Sequence, residues 1–206
     1  DGVDDYVSVS VVPTADLLNA TGMTFDLWIK PTFTQDREYP IVDFSSLGGL
    51  KGIIFGINYS AARGGTFYVA INDTNGVEHL LTSPDFSVAN GVFQHLTATY
   101  DRATGIAKLY VNGVEKVSQS LGGFTARYAL ALYIGRFAAA GLNSSVRFAG
   151  VMDELEVLSR AMSAAEIQAL YAADSAGKCK TQTACPTVSG MSPSSGPVGT
   201  TVTITG

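Results

Sequence analysis

The chain has 206 residues, 46% hydrophobic and 15% charged, enough for one sizeable core with a small appendage. Its net charge of -5 supplies no basic stripe for phosphate backbones, which argues against nucleic acid and anionic membranes as partners. No apolar run approaches the ~20 residues a membrane-spanning helix needs, so membrane insertion is not expected, and without a basic start leading into an apolar signal core Asp1 reads as a processed or excised start.

Strand signals come in series from the first residues onward. "YVSVSV" (6–11), "MTFDLWIKP" (23–31), "PIVDF" (40–44), "GIIFGINY" (52–59) and "TFYVAIN" (66–72) alternate or run apolar over short spans. "HLTATYD" (95–101), "AKLYVNGVEKVS" (107–118), "LYIGRF" (132–137) and "VMDELEVL" (151–158) continue the pattern, with Gly, Asn, Asp and Pro between them. Regular short strands predict an all-β fold, a two-sheet antiparallel sandwich or jelly roll. Asn112-Gly113 predicts a two-residue hairpin, because a type I′ turn needs positive φ at both central residues. One helix is expected, in "SRAMSAAEIQALYAA". There Ser163 and Glu166 have the spacing of a capping box, and Ile167, Leu170 and Tyr171 form the apolar stripe. It should pack against the sandwich.

The order of these motifs carries a resemblance. "DGVDDYVSV", "MTFDLWIKP", "FQHLTATYDRATGIAKLYVNG", "LYIGRF" and "FAGVMDELEVLSRAMSAAEIQALY" together resemble the laminin-G-like family of the concanavalin-A-like lectin superfamily, over about residues 1–173. The resemblance implies a jelly roll used as an accessory module in secreted and surface proteins, with calcium frequent where the chain's two ends meet. Domain bounds of 1–178 for the jelly roll and 179–206 for an extended tail follow from the composition.

Several residues are candidates for chemistry. Strand parity puts Asp153 on the face of Val151, Leu155 and Val157, and Asp1 and Asp5 on the face of Val3, Val7 and Val9. With the first and last strands expected as neighbours, acidic groups gathered on an inward face would repel unless a hard cation neutralised them, and Ca2+ suits that chemistry. Alternatively, these carboxylates accept backbone N–H bonds at strand ends. Trp28, which shares parity with Asp26 and Lys30, offers a flat stacking surface to a sugar, unless a loop covers it. The turn-rich segments 58–65 and 71–76 supply Asn58, Tyr59, Arg63, Asn72, Asp73 and Asn75 to a saccharide or a second calcium, or serve as plain hairpin loops. Asn19, Asn58, Asn72 and Asn143 head glycosylation sequons. Cys179 and Cys185, in a hydrophilic loop without a zinc-like partner set, read as a local disulfide or as two free thiols.

Catalysis is not expected. Glu154 and Glu156 alternate on one face while Asp153 points the other way, unlike the carboxylate ladder of laminarinase-type glycosidases, and neither His79 nor His95 sits near a nucleophile motif. Two functional readings remain. One is a non-catalytic, calcium-stabilised extracellular or cell-surface module that binds a glycan or a surface protein. The other is a structural subunit of a fibre or adhesin, in which the tail joins copies of the chain. The tail "CPTVSGMSPSSGPVGTTVTITG" (185–206) resembles the opening strands of an immunoglobulin-like module of the plexin and transcription-factor type. Its 186–206 portion either adds as a strand to a neighbouring sandwich or begins a further domain.

Overall fold

The computed structural model describes residues 4–9, 20–45, 51–128, 131–138 and 146–173, and the backbone of 190–192 and 203–205. Its strands, in chain order, are β1 (Val7–Val9), β2 (Gly22–Pro31), β3 (Arg37–Asp43), β4 (Ile53–Ser60), β5 (Gly64–Asn72) and β6 (Glu78–Thr82). They continue with β7 (Gln94–Asp101), β8 (Ile106–Val111), β9 (Val114–Ser120), β10 (Leu132–Ile134) and β11 (Gly150–Leu158), followed by helix α1 (Ala164–Ala173). Two antiparallel sheets result: six strands in the order β1-β10-β3-β4-β5-β6, and five in the order β11-β2-β7-β8-β9.

The period of two makes the sandwich. Phe25, Leu27 and Ile29 of β2 face inward and meet Phe55 and Ile57 of β4 and Phe67, Val69 and Ile71 of β5, all nearly or fully buried in one core. Aromatic contacts tie the layers, with Phe25 6.0 Å from Phe44 and 5.9 Å from Phe55 between ring centres. Buried hydroxyls find partners: Tyr39 Oη accepts the N–H groups of Thr34 and Gln35 and donates to the Gln35 carbonyl.

The expected turn and helix cap both form. Asn112 and Gly113 have φ of +52° and +74°, as the tight β8–β9 hairpin requires. Ser163 N–H donates to Glu166 Oε2 at 2.8 Å while Glu166 N–H donates to Ser163 Oγ at 3.3 Å, the reciprocal bonds of a capping box. Arg160 adds a two-pronged contact to the same carboxylate. The helix then lays fully buried Ile167 beside Met162 and Tyr110 on the outer side of the five-stranded sheet.

Two features of β11 and β1 correct the parity reading. Between Asp153 and Glu156 the pairing of β11 with β2 takes in one extra residue, and Glu154 adopts φ of +51° there. A bulge reverses side-chain parity. Met152, Leu155 and Val157 therefore pack on the core, while Val151 and Asp153 are exposed and point away from it. The two terminal strands also go to different sheets: β1 pairs with β10 in one, β11 with β2 in the other. Beyond the sandwich, β12 (Gly190–Ser192) and β13 (Thr203–Thr205) pair antiparallel in a two-stranded sheet of their own.

Candidate functional site

The outer face of the six-stranded sheet carries a trough, and alternation explains its lining. Because Ile57, Phe67 and Leu81 point inward, Asn58, Thr66, Tyr68 and Thr82 must point outward from three adjacent strands. The register sets Glu38, Asn58 and Thr66 in one cross-strand row and Gly56, Tyr68 and Thr82 in the next. Tyr68 lies across Gly56, where an added Cβ would sit 2.9 Å from the phenol oxygen. Only glycine lets the ring lie that close to the sheet. On one side Phe137 and Val146 fold over Ile54, Tyr68 and Ala70 in a small second core.

The rest of the face is open. Asn58, Tyr59, Ser60, Arg63, Gly64, Thr66 and Thr82 line an open volume of about 430 Å³. A second one of about 150 Å³, reaching Glu38, Lys51, Tyr68 and Glu78, shares Asn58 and Thr82 with it, so the two form one trough. Charges sit at its ends. Lys51 Nζ lies 3.5 Å from Glu78, and Arg63 Nε donates to both carboxylate oxygens of Asp85 at 3.0 and 3.1 Å. Burial pushes the Glu38 carboxyl up, with Lys51 partly opposing it. Burial, reinforced by the charges of Glu38, Asp43 and Glu78, pushes the Tyr68 phenol far up, so it remains a neutral donor. The trough thus presents the Asn58 amide and the Thr82 hydroxyl on rigid strands, beside the nearly fully buried Tyr68 and a Thr66 hydroxyl that donates to the Asn58 carbonyl at 3.3 Å.

A second cleft lies where α1 meets the five-stranded sheet. Trp28, Phe93, Asn112, Tyr171 and Ala172 line about 420 Å³ there. Trp28 stacks on Tyr171 with ring centres 5.9 Å apart, so the helix covers part of the face that parity leaves outward. Beneath it, Asp26 and His95 are fully buried. His95 Nε2 lies 3.0 Å from one Asp26 oxygen, and the Thr97 hydroxyl donates to the other at 2.5 Å.

The structure thus sorts the residues singled out by sequence. Asn58, Tyr59 and Arg63 come together in the trough, while Trp28 belongs to the second cleft. Asn72, Asp73 and Asn75 do not join them. The Asn72 amide is 4% exposed and donates to the Gly52 carbonyl, which also removes it as a ready glycosylation site. Asp73 Oδ1 accepts the N–H groups of Asn75 and Val77 and closes the turn before β6; the Val77 bond above all holds its carboxyl below the usual range. Asn58 is exposed on the trough. Asp5, two residues ahead of β1, and Asp153, within β11, both stand exposed, and Asp153 accepts the Glu154 N–H at 2.8 Å, the hydrogen-bonded alternative. Among the described residues no three His, Cys, Asp or Glu side chains converge. Asp1, Asn19, Asn143, Cys179 and Cys185 lie outside the described residues.

Sequence reasoning missed Glu38, Lys51, Thr66, Tyr68 and Thr82. A signal existed for two of them: in "TFYVAIN", Thr66 and Tyr68 share the parity opposite Phe67 and Val69. The exposed strand "EHLLT" that supplies Thr82 also went unread, since a short edge strand with one buried leucine hardly differs from a loop in sequence.

Comparisons with known proteins agree with this architecture. A carbohydrate-binding module, CBM40, of the Ruminococcus gnavus IT-sialidase, solved with α2,3-sialyllactose, superposes with a TM-score of 0.67 at 16% identity, over 83% of this chain and 94% of that one. A SAP-like pentraxin from Limulus polyphemus gives 0.57 at 15% identity, over 77% and 72%. The ligand-binding domain of botulinum neurotoxin serotype D, in complex with N-acetylneuraminic acid, gives 0.61 at 16% identity over 84% of this chain; the match spans 41% of the toxin chain. At these identities the likeness is one of fold. No curated protein matches the sequence. The laminin G family model of the concanavalin A-like lectin/glucanases superfamily matches residues 1–168, ahead of the tail, and to that family this chain belongs.

Proposed function

We propose that the chain is a non-catalytic glycan-binding module that takes its saccharide in the trough on the outer face of the six-stranded sheet. The observation that carries this reading is the set of Asn58, Thr66, Tyr68 and Thr82 on three hydrogen-bonded strands, bordered by Lys51 and Glu38. Sugar hydroxyls need mixed donors and acceptors held in fixed positions, and strands hold them better than loops. The Trp28 cleft is less suited, because Asn112 is the one amide there and its oxygen already accepts the His95 N–H at 2.9 Å. The sialyllactose-bound module and the sialic-acid-bound toxin domain support a saccharide ligand. Such a ligand also favours display outside the cell.

The test is a glycan array of neutral and sialylated oligosaccharides, run with and without a calcium chelator. Saturable binding that falls at least about tenfold in Asn58→Ala, a loss of about 1.4 kcal/mol, supports the trough. Absence of saturable binding by the wild type would remove the glycan reading, and cleaved oligosaccharide in the supernatant would remove the non-catalytic one. A signal abolished by chelator adds calcium to the reading, whichever residues hold it.

A further inference from the structure

At the arginine end of the trough stands a residue that the fold holds against its own preference. Phe86, between β6 and β7, adopts φ of +56°, a strained region that bulky side chains rarely enter. Its ring gains little shelter in return. Phe86 is 69% exposed.

Several contacts impose the conformation. Phe86 N–H donates to the Arg63 carbonyl at 2.9 Å, and the neighbouring Asp85 is gripped by the Arg63 guanidinium. Ser87 Oγ donates to the Pro84 carbonyl at 2.6 Å, bending the segment. The ring borders Gly64, a lining residue of the trough, so closely that a Cβ there would stand 2.4 Å from Phe86 Cδ1. Gly64 itself has φ of +64°. Two unusual backbone positions therefore face each other, and their combined effect is to stand an aromatic ring at the trough's rim in water.

Folding alone gives no reason for this arrangement, since an exposed ring at positive φ is worse for stability than Gly or Asn would be. A saccharide does. The C–H face of a pyranose ring is apolar and packs on a flat aromatic surface, while its hydroxyls reach for groups such as Asn58 and Ser60. We infer that Phe86 is the stacking platform for a pyranose ring of an oligosaccharide bound in the trough. This inference rests on the glycan reading. It adds which face of the sugar is recognised, by apolar contact at the Arg63 end.

Two measurements test it. On the same glycan array, Phe86→Gly should lose at least about tenfold in apparent affinity while Phe86→Trp stays within about threefold of wild type, because tryptophan keeps the flat surface. In thermal unfolding without ligand, Phe86→Gly should melt at or above the wild-type temperature, because glycine accepts the positive φ without strain. Binding by Phe86→Gly equal to that of a binding wild type would overturn the platform and leave the glycan reading standing. A melting temperature several degrees below wild type would overturn it too, since the ring would then be a structural plug. A wild type without saturable glycan binding overturns both.

Discussion

Asp26 shows how a buried carboxyl group is accommodated at a single residue. It is fully buried on the outer side of the five-stranded sheet, where His95 Nε2 of the neighbouring strand pairs with one of its oxygens and the Thr97 hydroxyl donates to the other. Removing one partner of such a set leaves the others desolvated and unsatisfied. Asp26→Ala is expected to cost about 3–5 kcal/mol, read as a lower midpoint in urea unfolding. Asp153 makes the contrast, for it is exposed and bonds only locally to the next N–H in the described contacts. Asp153→Ala should change stability by less than about 1 kcal/mol. Glu166 gives a pH signature. Arg160 first, then the Ser163 bonds, lower its carboxyl from 4.5 to about 2 in the folded chain. Its contribution is therefore complete above pH 4.5 and fades as the pH falls toward about 2. Because the pair is half exposed, it is worth well under 1 kcal/mol after solvent screening. The melting difference between wild type and Glu166→Gln should stay constant from neutral pH to about 5 and shrink below that.

At the scale of elements, turns and bulges decide which side chains reach which face. The β11 bulge sends Asp153 outward and brings Leu155 and Val157 inward, with Glu154 holding φ of +51°. Glu154→Gly should relieve that conformation and raise the melting temperature by about 2–4 °C, given a gain of up to about 1 kcal/mol. The β8–β9 hairpin joins the helix through its turn: a Cβ on Gly113 would meet Gln168 Oε1 at 2.9 Å and Tyr171 Cβ at 3.2 Å, at φ of +74°. Gly113→Ala is then strained in backbone and in packing, and calorimetry should show a loss of about 1–3 kcal/mol.

For the whole molecule, stability resides in the layer between the sheets. Phe55 is fully buried there among Phe25, Phe67 and their neighbours, so Phe55→Ala should cost about 3–5 kcal/mol. The tail is another matter. Its strands β12 and β13 pair with each other and join neither sandwich sheet. A chain ending at residue 178 should therefore unfold at the same temperature as the full chain and keep its oligomeric state, as light scattering would show. A change of state on truncation would instead favour strand donation between copies.

The sequence by itself determined the class of fold. Alternation in segments such as "MTFDLWIKP" and "TFYVAIN", the Asn112-Gly113 turn and the Ser163/Glu166 cap are local signals, and local physical chemistry enforces each of them. The motif order named the family for the same reason. Asn58, Tyr59 and Arg63 were legible as a polar turn beside a strand, but their partners were not. Tyr68 and Thr82 reach the trough only because β4, β5 and β6 lie side by side in one register, a long-range choice that no short window encodes. The face on which Asp153 stands was likewise set by tertiary structure, since one inserted residue reverses parity and nothing in "VMDELEVL" marks where it falls. Phe86 was hidden for the same reason: in sequence it is an ordinary loop phenylalanine, and only its contacts with Arg63 and Gly64 hold its backbone at positive φ and its ring in water.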